Sequence, residues 1–155
     1  MSKIFLAPNG KSSKYTEENF ETVLLGQPYN SIKQYLKPEE EKVLSKYELL
    51  RIWSVSDWHL PAWSGMQPGD FVLFYERKNF CYSAKVIIKK HSQELADKLW
   101  LEAFPYLFFV DNLKKMDIPL EYISQLGNMN LGGWSSGLRS FQPLNSTGLE
   151  TIKKK

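Results

Sequence analysis

The sequence predicts an α+β domain in which a helical N-terminal leader, residues 1–49, packs on a mostly antiparallel sheet with flanking helices over residues 50–150. Three observations support this class. Helix-start signatures recur within the first 49 residues, and the apolar periodicity changes to that of strands from Leu50. A polar four-residue loop then separates two apolar runs, Phe71–Tyr75 and Phe80–Ile88, which is the pattern of a β-hairpin. Residues 151–155 end in three lysines and form a basic tail.

Within the leader, Thr16 followed by Glu17 and Glu18 reads as an N-cap with first-turn carboxylates, and this helix is expected to stop near Gly26 and Pro28. A second helix is expected from Pro38, whose missing N–H suits a first turn, with Glu39, Glu40 and Glu41 at its positive dipole end. The glutamate run thus reads as a helix start rather than an acidic ligand site. Leu50–Ser56 reads as the first strand. Phe71–Tyr75 is apolar throughout, as in a strand covered on both faces or in a sheet that curls on itself. Beyond the Glu76-Arg77-Lys78-Asn79 loop, Phe80, Tyr82, Ala84, Val86 and Ile88 alternate with Cys81, Ser83, Lys85 and Ile87 along a long second arm. Ser92 is placed to cap a short helix, Gln93–Trp100, with Leu95, Ala96, Leu99 and Trp100 at helical spacing. Pro105–Val110 is expected to be a strand, Pro119–Leu126 a helix and 128–137 a loop rich in Gly, Asn and Ser, and Leu138–Leu144 a last strand that closes the sheet.

A chain of 155 residues, 43% apolar, is long enough for one ordinary core. Cys81 stands alone, so an intramolecular disulfide and a Cys-based zinc site are excluded, and His59 and His91 are too few for a ligand set. No cofactor or metal is expected. A soluble protein of the reducing cytoplasm follows, since no stretch approaches the roughly 20 apolar residues that span a bilayer. The net charge of +3 equals the three lysines of the tail. Local balance says more: residues 1–49 carry seven basic and seven acidic groups, whereas 50–92 carry six basic groups against three acidic. That excess suits either a phosphate backbone or an ordinary solvated face.

No Gly-rich phosphate loop, nucleophile elbow or metalloprotease motif occurs. Asp57, His59 and Asp70 could in principle do acid–base work, but Asp70 follows Pro68-Gly69 at a turn, where Asp bonds its own backbone. A binding domain is therefore expected, not an enzyme. The most informative segment is Ile52–Tyr75, which holds three of the five tryptophans. Trp53 lies within a strand and reads as core. Trp58 and Trp63 lie between two strands, where indole rings can be core or can form a slot that stacks a planar ring.

At Met66-Gln67-Pro68-Gly69-Asp70-Phe71-Val72-Leu73-Phe74-Tyr75 the sequence resembles the EVE domain, a PUA-like relative of YTH, whose Met-Lys-x-Gly-Asp-x-Val-Leu-Phe-Tyr stretch follows an aromatic first strand. Ile52–Ser56 resembles that first strand, Tyr82–Ile87 the strand after the hairpin, and Leu138–Leu144 the family's closing Arg-x-Ser-x-Gln-Pro stretch. Between first strand and turn the family carries a longer insertion, whereas here only Asp57–Gly65 stands there, with Trp63-Ser64-Gly65 resembling its remnant. The resemblance covers roughly residues 50–150. It implies a curled, mostly antiparallel β-barrel and a pocket for a modified base, as in specificity domains at the N-termini of McrB-type modification-dependent restriction proteins.

On that resemblance, the expected function is recognition of a methylated base in DNA by base flipping into an aromatic cage of Trp58, Trp63 and Trp100. Ser56 and Asp57 would bond the base edge, and Arg77, Lys78, Lys85 and Arg139 would hold the backbone or enter a groove. The partners implied are modified DNA, other subunits of a restriction complex, and no membrane. Two other readings remain: a modified-RNA-binding domain, and a protein-interaction module with no nucleic-acid role.

Overall fold

The computed structural model describes residues 3–8, 26–55, 59–76, 79–99, 105–127 and 142–144. Strand β1 is Ile4–Pro8 and β2 is Gln27–Pro28, followed by helix α1, Tyr29–Ile32, and a 3-10 turn, Lys33–Tyr35. Helix α2, Pro38–Leu44, leads into β3, Leu49–Val55, and α3, Leu60–Gly65. Strands β4, Phe71–Glu76, and β5, Asn79–His91, form the hairpin; α4, Gln93–Leu99, β6, Tyr106–Pro119, α5, Leu120–Gly127, and β7, Gln142–Pro143, complete the described elements.

The strands form one sheet in the order β2-β3-β6-β5-β4-β1-β7, and every pairing is antiparallel except β1 with β4. The α+β class and the hairpin are as the sequence predicts. Two expectations are corrected. Residues 4–8, read as part of the helical leader, are a strand inside the sheet, because the apolar run Ile4-Phe5-Leu6-Ala7 is buried on both faces beside β4. Residues 138–141 of the expected last strand lie outside the described residues; among those described, β7 pairs with β1 over two residues, ends in a proline that has no N–H to donate, and closes no barrel.

The open sheet is nonetheless strongly curled. In strand order β3 and β4 are separated by β6 and β5, about 14 Å apart if flat at ~4.8 Å per strand. Yet the Trp53 and Phe74 rings, one on each of those strands, meet edge to face at 6.1 Å. Trp53 is core, as its position within a strand predicts. The concave face so formed holds Phe5, Val55, Met66, Val72, Phe74, Ala84, Val86 and Phe108. Residues that alternate with these point to the convex face, where α1, α2 and α4 cover Leu50, Ile52, Leu107 and Phe109, and α5 covers Leu73 and Phe80. Each such fully buried side chain contributes about 1.5–3 kcal/mol.

Local chemistry fixes the helices. In α2, Glu40 Oε1 accepts the Lys37 backbone N–H at 2.8 Å, so the glutamate run does start a helix. Ser92 Oγ accepts the Leu95 N–H at 3.1 Å, the expected N-cap of α4. The helix predicted from Thr16 lies outside the described residues. Strand β6 runs well past the expected Val110. It does so through Asn112, at φ 59°, where two register positions on β6 face one on β5. Such a bulge bends the strand, and Asn tolerates the left-handed backbone it needs.

The Gly-Asp turn ties the sheet together. Asp70 N–H donates to Gln67 O at 3.1 Å with Gly69 at φ 94°, a type II turn with Pro68 and Gly69 at its centre. The buried Asp70 carboxylate accepts the Gln67 N–H at 2.8 Å and the Lys3 N–H at 2.9 Å, linking the turn to the start of β1. Asp70 therefore has the structural role its position after Pro68-Gly69 predicts.

Candidate nucleic-acid interface

One end of the concave face is closed by α3. Pro61 in its first turn needs no N–H donor, and the short helix sets Trp63 onto the starts and ends of the neighbouring strands. Trp63 Nε1 donates to Leu107 O at 3.0 Å, which satisfies the one polar atom of the indole. Its ring lies 5.3 Å from that of Tyr106, tilted by 55°, and Tyr106 in turn lies 5.2 Å from the exposed His91 ring, tilted by 52°. His91 and Tyr106 face each other where β5 ends and β6 begins. The result is a run of three aromatic rings from the half-buried Trp63 toward solvent.

Cations gather at the same end. Lys89 Nζ donates to Trp63 O at 2.9 Å and Ser64 O at 3.1 Å, and it stands 4.6 Å from the centroid of the Trp63 ring. Burial pushes the Lys89 pKa below the usual lysine range, against the opposing pull of the Asp70 carboxylate. Lys3 Nζ reaches Gly65 O at 3.4 Å. At the start of α3, burial likewise lowers the His59 pKa, which favours the neutral imidazole.

Of the residues expected to form the site, Trp63 and Lys85 are described; Ser56, Asp57, Trp58, Arg77, Lys78, Trp100 and Arg139 lie outside the described residues. In the sequence, Ser56, Asp57 and Trp58 stand between Val55, the last residue of β3, and His59, which precedes α3. Trp100 follows Leu99, whose side chain packs on the convex-face core rather than the concave one. Lys85 is exposed and lies between the concave-face residues Ala84 and Val86, so it projects from the convex face and is not brought together with Trp63. Glu76 and Asn79, which flank Arg77 and Lys78, pair at the opposite end of β5 from His91. That is about 40 Å of strand contour at ~3.3 Å per residue.

Sequence reasoning missed Tyr106, His91 and Lys89. Their only signal was position at strand ends, and the β5–β6 register that unites them is not written in either strand alone. Among the described residues, no group of three or more His, Cys, Asp or Glu could hold a metal ion, and no helix is long and apolar enough to cross a membrane.

The curled sheet with α3 at its mouth and helices on its convex side defines an α+β fold shared with several solved domains. The chain is similar over 99% of its length, and 98% of the other, to the N-terminal domain of Thermococcus gammatolerans McrB, solved bound to m5C DNA, with a TM-score of 0.72 and 17% identity. It is similar over 99% of its length to the YTH domain of Zygosaccharomyces rouxii MRB1, solved with N6-methyladenosine RNA, covering 85% of that chain at TM-score 0.56 and 16% identity. The Pho92 YTH domain in complex with m6A matches 99% of this chain and 82% of its own, at TM-score 0.51 and 13% identity. The expected likeness to YTH domains and to McrB-type N-terminal domains is thus borne out at the level of fold. No protein-family model and no curated protein matches the sequence.

Proposed function

We propose that this domain reads a modified base in DNA, receiving the extruded base where α3, the end of β5 and the start of β6 meet. The observation that carries the reading is the shared fold over nearly the whole chain with a domain solved on m5C DNA, joined to an aromatic run at one end of the sheet. Two YTH domains of the same fold were solved with methylated adenosine, so the scaffold suits a methylated base generally. Its role is binding rather than catalysis, in a cytoplasmic modification-dependent restriction system.

The energetics are balanced. Extrusion costs a few kcal/mol, and stacking returns about 1–3 kcal/mol per aromatic contact. Trp58 would supply one wall, Trp63 a wall held from behind, and Trp100 the third side of the cage. A methyl group in an apolar slot adds about 0.8 kcal/mol, roughly fourfold in affinity. Stronger preference needs Ser56 or Asp57 to bond the Watson–Crick edge, so that a wrong base leaves buried polar atoms unpaired. Arg77, Lys78, Lys85 and Arg139 would meet phosphates farther along the duplex, setting register without reading sequence.

One titration tests this. Anisotropy is measured with duplexes that carry 5-methylcytosine, N6-methyladenine or no modification, and with N6-methyladenosine RNA. At least fourfold preference for one modified duplex is expected. Preference for the RNA would move the reading to RNA, and equal affinity for modified and unmodified strands would end it in favour of a protein-interaction module.

A further inference from the structure

We infer that Lys89 is the positioning residue of the aromatic wall: its ammonium clamps the C-terminal end of α3 to the sheet and so sets the plane of Trp63. The inference rests on the base-reading function proposed above, since it concerns the wall against which the base would stack. Trp63 and Ser64 occupy the last turn of a six-residue helix, where Trp63 O accepts the N–H of the C-cap residue Met66 at 3.1 Å. Lys89 Nζ adds a second donor to Trp63 O at 2.9 Å, bonds Ser64 O at 3.1 Å, and meets the negative end of the helix dipole. The same ammonium stands over the indole face at 4.6 Å.

Trp63 is held through its own carbonyl, its ring and its Nε1–H; Lys89 contacts the first two, beside Met66 N–H at the carbonyl and Tyr106 at the ring. Lys89 is itself fixed opposite Phe108 in the β5–β6 ladder, so the clamp transmits the position of the sheet to the ring. An ammonium has three donors, and two are spent on α3. Its contribution to binding is therefore one of geometry more than of charge toward phosphate.

The test uses the whole chain and Lys89→Met, which keeps the length of the stem and removes the donors. The Trp63 indole N–H resonance, assigned by its disappearance in Trp63→Phe, reports the wall without nucleic acid. In Lys89→Met that resonance is expected to shift and its solvent exchange to quicken, with Lys89→Arg restoring both. Affinity for the preferred methylated duplex is expected to fall about tenfold, with its dependence on salt unchanged. An unshifted Trp63 resonance in folded Lys89→Met overturns the inference. So does a log–log salt slope reduced by about 0.9, which would mark Lys89 as a phosphate contact. If Lys89→Met does not fold, Lys89→Leu, which likewise removes all three donors, carries the same measurement. Should wild-type protein fail to distinguish methylated from plain duplex, the base-reading function falls, while the indole resonance still decides the role of Lys89.

Discussion

Lys90 Nζ lies 2.7 Å from Glu40 Oε1, and both side chains are largely withdrawn from solvent, at 6% and 14% exposure. The same carboxylate oxygen accepts the Lys37 N–H, so one atom both caps α2 and neutralises a lysine buried under it. Removing Glu40 should leave that ammonium unpaired. Glu40→Ala is expected to cost about 3 kcal/mol, whereas Lys90→Met, which removes the charge with its stem retained, should cost far less. Urea unfolding of the two variants separates these outcomes, and equal losses would contradict the argument.

The Gly-Asp turn gives a graded pair. Gly69 sits at φ 94°, and a Cβ added there would meet nothing within 4 Å, so Gly69→Ala should lose only the backbone preference, about 1–2 kcal/mol. Asp70→Asn replaces one of two carboxylate oxygens that accept backbone N–H groups in a buried site, for a loss of about 1–3 kcal/mol. It should also loosen the start of β1. Hydrogen exchange at the Lys3 amide would show this, and protection there equal to wild type would refute it.

Tyr47 supplies a pH dependence. Its hydroxyl donates to Asp111 Oδ2 at 2.6 Å, and burial, with that hydrogen bond and the carboxylate charge, pushes its pKa from 10.0 to about 12. A group whose folded pKa is raised stabilises fully below its unfolded pKa and loses that contribution as pH climbs through the folded one. The advantage of wild type over Tyr47→Phe should therefore hold below pH 10 and vanish as the pH rises from 10 to about 12. Thermal melts of both proteins across that window decide it.

If the proposed site is right, Trp58→Ala and Trp100→Ala should each weaken binding of the preferred methylated duplex by about 1–3 kcal/mol. Lys85→Gln should instead weaken methylated and plain duplexes alike and lower the log–log salt slope by about 0.9. Because Lys85 projects from the convex face, an unchanged slope would place the duplex wholly on the other side of the sheet.

What the sequence disclosed follows from how local the cause was. The hairpin, the Pro38 helix and the Ser92 cap rest on neighbours in the chain, and each is found in place. Strand β1 was hidden because a five-residue apolar run shows its nature only beside its partner, and Ile4 pairs with Phe71. Beyond Val110, β6 was hidden by Asp111-Asn112-Leu113-Lys114-Lys115, a polar stretch that reads as a loop until the bulge at Asn112 keeps it in the ladder. At the site, Trp63 was legible by type and place, whereas Tyr106, His91 and Lys89 depend on the pairing of β5 with β6.

The parallel seating of β1 against β4 bears on how the molecule is assembled. The Lys3 N–H bonds Asp70, 67 positions along the chain, so the amino-terminal segment must wait for the hairpin before it has anything to join. Until then the outer edge of β4, with Val72, Leu73 and Phe74, is bare and sticky. A shortened version starting at residue 50 would carry that defect permanently, and would be expected to come out of the cell as insoluble material.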